Sequence, residues 1–233
     1  MRLYIIRHAD PDYPNNTITA KGHLEAQALS VRLVAQGLDK VFTSPLNRAR
    51  ETMKYTTDKL GMDYTIEEWA RELDMWLHES PWGPMAVWDA PGADMRESLR
   101  NSGKELWSGN KHFSSIKIDE VYQQVKKDSD AFLKRLGYER EGGRYRILKA
   151  NKDKVALFCH NGLGLTWLAH LLDLPLSLVW SGFWLPPSSV TTVLFDERSS
   201  EWATPRCIGL GDVSHLYQAG LPVQPRGILA NFD

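Results

Sequence analysis

The first eight residues restrict the fold of this chain more than any other stretch. Residues 3–6 are all apolar, and they run directly into Arg7 and His8. Such a run predicts a strand buried in a parallel sheet, with the two basic residues at its carboxyl end, where ligands of open α/β sheets bind. Imidazole can attack phosphorus, and guanidinium matches two phosphate oxygens. The hypothesis is therefore a phosphate site, and the alternative is a strand that simply ends at the surface.

Composition limits the location and the partners of the protein. The net charge of −1 over 233 residues provides no overall field that would attract nucleic acid or an anionic membrane. The two cysteines, Cys159 and Cys207, form no CxxC pair, which favours a reducing compartment over a disulfide framework. No signal-peptide core or apolar run of about 18 residues is present. We expect a cytoplasmic protein in which residues 1–233 form one domain, with neither nucleic acid nor membrane as a partner.

A strand, helix, strand unit is predicted at the start of the chain. Thr19 suits the N-cap of a helix that Gly37 ends, and residues 40–43 read as a second strand. The apolar side of this helix is predicted to contain Leu24, Ala28, Val31 and Val34. Such a unit favours parallel strands with a right-handed crossover.

The second predicted strand leads into a helix start that carries cations. Ser44 and Pro45 suit the first positions of a helix, whose free N–H groups favour an anion, and Arg48 follows one turn later. A solvated helix arginine is the alternative interpretation. The coincidence with Arg7 and His8 favours a shared site instead.

A third apolar strand, residues 155–159, ends on His160 and Asn161 and leads into a helix through residue 172. It repeats the pattern of the first strand, so its histidine is expected at the same sheet edge. A helix is predicted over residues 119–136, and strands over 188–195 and 202–210. For His215 a hydrogen-bonded structural role is favoured.

The central part of the chain has a different composition. Five tryptophans, several prolines and several glycines lie between residues 67 and 118, which indicates an irregular, aromatic-rich insertion. We expect residues 73–118 to act as a lid that shapes access to the site. The alternative is that these tryptophans pack a long loop against the body of the protein.

Four segments in this order resemble the histidine phosphatase superfamily, also called phosphoglycerate mutase-like: residues 7–8, 19–22, 44–49 and 158–162. The resemblance implies a three-layer α/β/α fold with a mostly parallel central sheet. It implies that His8 attacks phosphorus to form phosphohistidine, that Arg7 and Arg48 hold the phosphoryl oxygens, and that His160 donates a further hydrogen bond. By the same resemblance Asn16, with Asn15 as its neighbour, and Asn161 are candidates for phosphate binding.

The resemblance also implies a carboxylic acid that protonates the leaving oxygen, and Glu72 occupies the matching position. Glu67, Glu68 and Asp74 compete for this role. Arginines supply the charge that Mg²⁺ supplies elsewhere, and the histidines show no metal-ligand spacing, so we expect no metal and no cofactor.

Three functions are compatible with this reading of the sequence. The leading hypothesis is a phosphatase that transfers phosphoryl from a small phosphomonoester, or from a phosphoprotein, to water. A phosphoglycerate mutase is less favoured, because residues 9–11 and 73–76 differ from the runs typical of the glycolytic enzyme. The third hypothesis is a non-catalytic phospho-ligand binding module, since fold alone does not fix activity.

Overall fold

The computed structural model describes residues 1–103, 105, 107, 110 and 112–228. In chain order the elements are β1 (Arg2–Arg7), β2 (Pro11–Asp12), β3 (Thr17–Ile18), α1 (Ala20–Gln36), β4 (Lys40–Thr43), α2 (Asn47–Leu60), β5 (Thr65–Ile66), β6 (Trp76–Leu77), β7 (Met85–Ala86), α3 (Gly92–Met95), α4 (Glu97–Ser102), α5 (Ile118–Arg135), β8 (Tyr138–Glu141), β9 (Arg144–Ile147), β10 (Lys154–Cys159), α6 (Asn161–Leu172), α7 (Leu176–Gly182), β11 (Val190–Asp196), β12 (Trp202–Asp212) and α8 (Ser214–Gln218).

An eight-stranded sheet forms the centre of the molecule, in the order β5-β4-β10-β1-β11-β12-β9-β8. The half that carries the site is parallel, because β1 pairs with β10, β10 with β4, and β4 with β5 in that sense. The strands from β11 to β8 pair antiparallel. The predicted three-layer α/β fold is confirmed. The parallel strands that the sequence predicts lie in the half of the sheet from β5 to β1.

Both faces of β1 are buried, which explains why its sequence is continuously apolar. Leu3 and Ile5 belong to a core cluster with residues of α5 and α6, whereas Tyr4 and Ile6 belong to a cluster with residues of α1 and α2. A strand covered by helices on both faces has no solvated side, so both sets of alternate residues are apolar. The helices therefore form the two outer layers.

Helix α1 has the predicted ends but a different buried face. The Thr19 hydroxyl accepts a hydrogen bond from the Gly22 N–H, and Gly37 ends the helix at φ 72°. Leu24, Val31 and Val34, which the spacing assigned to the apolar side, are exposed at 51%, 58% and 37%. The buried residues are Gly22, Glu25, Ala26, Leu29, Ser30 and Leu33.

The buried face of α1 includes a close contact with the loop after His8. A Cβ atom on Gly22 would lie 2.5 Å from the Asp10 carbonyl oxygen, so this face of the helix approaches the loop backbone where a side chain has no room. Glu25, one turn later, accepts a hydrogen bond from the Asp10 N–H at 2.8 Å. Ala26, Leu29 and Leu33 complete this buried face at helical spacing, so the face that packs inward is a second apolar face and not the one that contains Leu24 and Val31.

The segment 73–118 folds into β6, β7, α3 and α4, and residues 104, 106, 108, 109 and 111 of the predicted lid lie outside the described residues. It shares a second core cluster with α6 and α7, in which Trp88 and Trp107 pack near Trp180. Trp69, in contrast, packs on Phe132 and Trp167 beneath the main sheet. In the described part of the chain, no helix has the length and hydropathy required to cross a membrane.

Candidate active site

The carboxyl ends of β1, β10 and β4 meet at one edge of the sheet. The His8 N–H donates to the Cys159 carbonyl at 2.9 Å, and the Ser44 N–H donates to the Phe158 carbonyl at 2.8 Å. Parallel register thus brings the residues that follow each strand together. The rings of His8 and His160 lie 5.1 Å apart between centroids, and the two histidines are 1% and 0% exposed.

The environment of His8 favours a neutral, nucleophilic imidazole. Its Nδ1 lies 2.7 Å from the Ala9 carbonyl oxygen, which can only accept, so we assign the ring proton to Nδ1. The Nε2 atom then carries the free electron pair. Burial, followed by the charges of Arg7 and Arg48, lowers the pKa of His8 well below its ordinary value. A neutral ring is the form that can attack phosphorus.

His160 is a second neutral imidazole at the same edge. Its Nε2 forms a 2.7 Å hydrogen bond with the Ser44 hydroxyl. Burial lowers the pKa of His160 well below its ordinary value, and the neighbouring His8, Arg48 and Arg7 lower it further. Its Nδ1 atom is buried and has no hydrogen-bond partner in the described residues.

The two arginines are held by contacts that leave donors unused. Arg7 is 3% exposed and donates from Nη1 to the Leu185 carbonyl at 2.6 Å. Arg48, in the first turn of α2, donates from Nη1 to the Asn16 side-chain oxygen at 3.3 Å, and its guanidinium lies 5.5 Å from the Tyr13 ring centroid. The Nε atoms of both arginines are buried without a partner among the described residues. Unpaired buried donors of this kind fit an anion.

Both candidate asparagines contact the arginine framework. Asn16 adopts a left-handed backbone, φ 50°, and its amide oxygen accepts from Arg48. The Asn161 amide oxygen accepts from the Leu185 N–H at 3.3 Å, and the Leu185 carbonyl in turn holds Arg7. A direct contact of either asparagine with phosphate remains a prediction.

Glu72 lies against the N-terminus of α6. Its two carboxylate oxygens accept hydrogen bonds from the Gly162 N–H at 3.1 Å, the Leu163 N–H at 2.9 Å and the Leu73 N–H at 3.1 Å. Burial raises the pKa of Glu72, and the three backbone donors oppose this rise because they stabilise the charged form. A dianionic phosphate beside Glu72 would raise the pKa further.

The other candidate acids have different surroundings. Glu67 is buried, accepts from the Trp69 indole and forms a two-bond contact with Arg135 at 2.8 Å. Glu68 is exposed and pairs with Arg71, while Asp74 is exposed. Of the four candidates only Glu72 lines the cavity that contains the arginines. No group of three His, Cys, Asp or Glu side chains with the geometry of a metal site occurs within the described ranges.

This site cavity has a volume of about 580 Å³. Its polar and charged lining is Arg7, Arg48, Glu72, Asp89, Asn161 and Arg226, and its aromatic lining is Tyr13, Trp76 and Trp88. Sequence reasoning did not identify Asp89 or Arg226. They belong to the irregular insertion and to the C-terminal segment, where no strand end or motif marks a position.

Hydrogen bonds from Ala9 and to the His8 carbonyl hold the backbone around His8. The Ala9 N–H donates to the Thr52 hydroxyl at 3.0 Å, and the Ser188 N–H donates to the His8 carbonyl at 3.0 Å. His215 shares a 3.1 Å hydrogen bond with the Ser188 hydroxyl, and burial lowers the pKa of His215 to about 4. This contact agrees with the structural role favoured for His215.

A buried acidic pair links the loop after His8 to the C-terminal segment. The carboxylate of Asp10 accepts from Arg226 at 2.6 and 3.2 Å and from the Thr19 hydroxyl at 2.7 Å. Glu25 lies against the Asp10 backbone, and one of its oxygens is buried without a partner in the described chain. Burial raises the pKa of Glu25 from 4.5 to about 7.

Glu25→Gln is expected to change how stability depends on pH. The folded state holds the Glu25 proton more tightly than the unfolded state does, because the folded-state pKa is raised. The resulting contribution to the free energy of unfolding is complete below about pH 4.5 and is lost as pH rises through about 7. Glutamine keeps an acceptor for the Asp10 N–H and carries no charge. At about pH 8 the variant should exceed the wild type by about 2 kcal/mol in free energy of unfolding, measured by urea denaturation.

The matched control for this prediction is Glu68→Gln, which changes a side chain that is 76% exposed. Its stability should follow the wild-type pH dependence. A constant offset between wild type and Glu25→Gln from about pH 4 to about pH 8 would contradict the assigned role of Glu25.

The family model for the histidine phosphatase superfamily (branch 1) matches residues 3–206. The chain belongs to this superfamily. A putative phosphoserine phosphatase 2 of Hydrogenobacter thermophilus is 28% identical over 87 residues, which are 34% of this chain and 43% of that protein. A probable phosphoglycerate mutase of Enterobacter sp. (strain 638) is 26% identical over 34% of this chain and 41% of that protein. These matches span less than half the length of the curated relatives.

Solved structures share the fold over nearly the whole chain. A phosphoserine phosphatase from Entamoeba histolytica has a TM-score of 0.63 at 15% identity, covering 92% of this chain and 98% of that chain. The alpha-ribazole phosphatase from Shigella flexneri has a TM-score of 0.58 at 19% identity, covering 91% and 97%. A mycobacterial glucosyl-3-phosphoglycerate phosphatase also gives 0.58 at 19% identity, covering 90% and 98%.

Proposed function

We propose that this protein is a phosphatase that hydrolyses small phosphomonoesters through a phosphohistidine on His8. The observation that carries the proposal is the buried imidazole of His8, whose Nδ1 lies 2.7 Å from the Ala9 carbonyl oxygen, beside two arginines that have unused buried donors. Arg7 and Arg48 would hold the phosphoryl oxygens, and His160 would contribute a hydrogen bond as charge develops in the transition state.

Two in-line steps account for the reaction. The Nε2 atom of His8 forms a bond to phosphorus as the bond to the leaving oxygen breaks, and Glu72 gives that oxygen a proton. Water then attacks phosphorus, the Nε2–P bond breaks, and Glu72 accepts a proton from the water. Phosphate leaves, and both residues return to their starting forms. This scheme needs no metal, because the two guanidinium groups neutralise the phosphoryl charge.

Membership of the superfamily supports phosphoryl transfer, and the similar structures include phosphatases for several small phosphate esters. A cavity of about 580 Å³ suits such an ester better than a phosphoprotein segment. We further propose that residues 1–233 form one domain in which the segment 73–118 is a lid, since Trp76, Trp88 and Asp89 of that segment line the cavity.

A phosphoglycerate mutase is the second candidate, favoured by the relative with that name. Phosphate release from a panel of phosphomonoesters, measured with EDTA present, separates the functions. 3-Phosphoglycerate is included and followed for both hydrolysis and isomerisation. The phosphatase predicts phosphate release that EDTA does not reduce. Isomerisation without release would indicate the mutase, and neither activity would indicate a binding module.

A further inference from the structure

The carboxyl group of Asp89 occupies an unusual position for a site that binds a dianion. It lines the site cavity together with Arg7 and Glu72. Within the described part of the chain, the Asp89 carboxyl group accepts no hydrogen bond and forms no ion pair. Burial raises the pKa of Asp89 to about 7, while Arg7 lowers it and Glu72 raises it. The ionised form of this carboxyl group would repel a phosphate, and a positive charge in the ligand would offset that repulsion.

A second cavity, of about 250 Å³, adjoins the first at this carboxyl group. Trp88, Asp89, Asn161 and Gly227 line both cavities. The remaining wall of the second cavity includes Trp180, Phe183 and Trp184. The indole N–H groups of Trp180 and Trp184 donate to the Thr166 hydroxyl and to the Arg226 carbonyl, so these two rings offer the cavity no free N–H donor.

The C-terminal segment packs closely against Asp89. Gly227 has φ 86°, and a Cβ atom there would lie 3.0 Å from one Asp89 carboxylate oxygen and 3.3 Å from the other. The preceding residue, Arg226, is paired with Asp10. A glycine therefore lets the backbone pass closely over the carboxyl group, which lies where the two cavities share their lining.

A carboxylate that shares a cavity with aromatic side chains, as Asp89 does with Trp88, Trp180 and Phe183, is chemistry suited to an ammonium group, because ring faces and negative charge both attract a cation. We propose that Asp89 selects phosphomonoesters that carry an ammonium group, with the phosphate on Arg7 and Arg48 and the cation in the second cavity beside Asp89. This inference rests on the proposed function. It makes Asp89 a specificity-determining residue, and the class of substrate is the phosphate ester of an amino alcohol.

Two pairs of esters test the proposal, each matched in shape but not in charge. Phosphocholine is compared with 3,3-dimethylbutyl phosphate, and phosphoethanolamine with propyl phosphate, at about pH 8, where Asp89 is ionised. The wild type should prefer the ammonium ester by at least about tenfold in kcat/KM. In Asp89→Asn the ratio within each pair should fall to about one.

Asp94→Asn is the matched control, because it removes a carboxylate of the same segment that lines neither cavity. Its ratios should equal those of the wild type. Binding of the four esters to His8→Ala, measured by calorimetry, supplies a readout that needs no turnover. There the ammonium ester of each pair should bind at least about tenfold more tightly, and addition of Asp89→Asn should remove the difference.

Equal kcat/KM or equal affinity within the pairs in the wild type and in His8→Ala would overturn the proposal. So would a preference that survives Asp89→Asn. If Asp89→Asn slows all four esters by one factor and leaves their ratios intact, Asp89 acts on the reaction rather than on the cation, and the proposal is wrong. Selective binding to His8→Ala without hydrolysis by the wild type would instead support the ammonium site and overturn the phosphatase.

Discussion

Replacing His8 with alanine is expected to reduce phosphate release by at least about 1,000-fold, because no other group in the scheme can form the covalent intermediate. The side chain of His8 forms its hydrogen bond with the carbonyl of the next residue, Ala9, so the sheet pairing through the backbone should persist. Steady-state release of inorganic phosphate measures the first effect, and thermal unfolding measures the second.

His23→Ala is the matched histidine control for this experiment. His23 is exposed on α1, where its ring contacts the Tyr55 hydroxyl, and it does not line the site cavity. Its phosphate release should equal that of the wild type. If His8→Ala retains more than about a tenth of the activity while folded, the covalent mechanism is wrong and direct attack by water takes its place.

Glu72→Gln is expected to slow the hydrolysis of an alkyl phosphate by about 100-fold or more, since an alkoxide is a poor leaving group without a proton. p-Nitrophenyl phosphate should lose far less, because its leaving group is stable as an anion. The comparison also separates chemistry from structure. Glu72 caps α6, and a change in that cap costs about 1 kcal/mol of stability but affects both esters equally.

Two neighbouring carboxyl groups serve as controls for Glu72. Asp74→Asn changes an exposed side chain and should leave both activities at the wild-type level. Glu67→Gln weakens the contact with Arg135 and should lower the melting temperature without a dependence on the leaving group. Equal losses for both esters in Glu72→Gln would mean that another group is the acid, and Asp89 is then the remaining carboxyl group of the cavity whose pKa is raised.

The sequence was most informative where one physical cause dominates. Strands buried on both faces must be continuously apolar, so β1 and β10 could be recognised from residues 3–6 and 155–159. Arg7 ends β1, and His8 and His160 directly follow β1 and β10, so the parallel pairing of these strands brings all three residues to the shared edge. Helix α1 was harder, because its apolar residues form two faces at helical spacing, and the face with Leu29 and Leu33 is buried while Leu24 and Val31 are exposed.

Residues from irregular segments could not be predicted to line the cavity. Asp89 follows a short β-hairpin, and Arg226 reaches Asp10 across 216 residues of chain. Neither has a periodic neighbourhood, so only the packed structure reveals their positions. The sequence also could not decide among the candidate acids. Glu67 and Glu72 are only five residues apart, yet Glu67 contacts Arg135 and Glu72 contacts α6.

The order of the strands has a consequence for biosynthesis. β1 is made well before β10 and β11, its two neighbours in the sheet, whose paired residues begin at Lys154 and Val190. Contacts of such long sequence separation form slowly, and an apolar strand is prone to aggregation until its partner strands are available. The nascent chain therefore carries His8 without a site until most of the protein has been translated, and the ion pair between Asp10 and Arg226 forms later still.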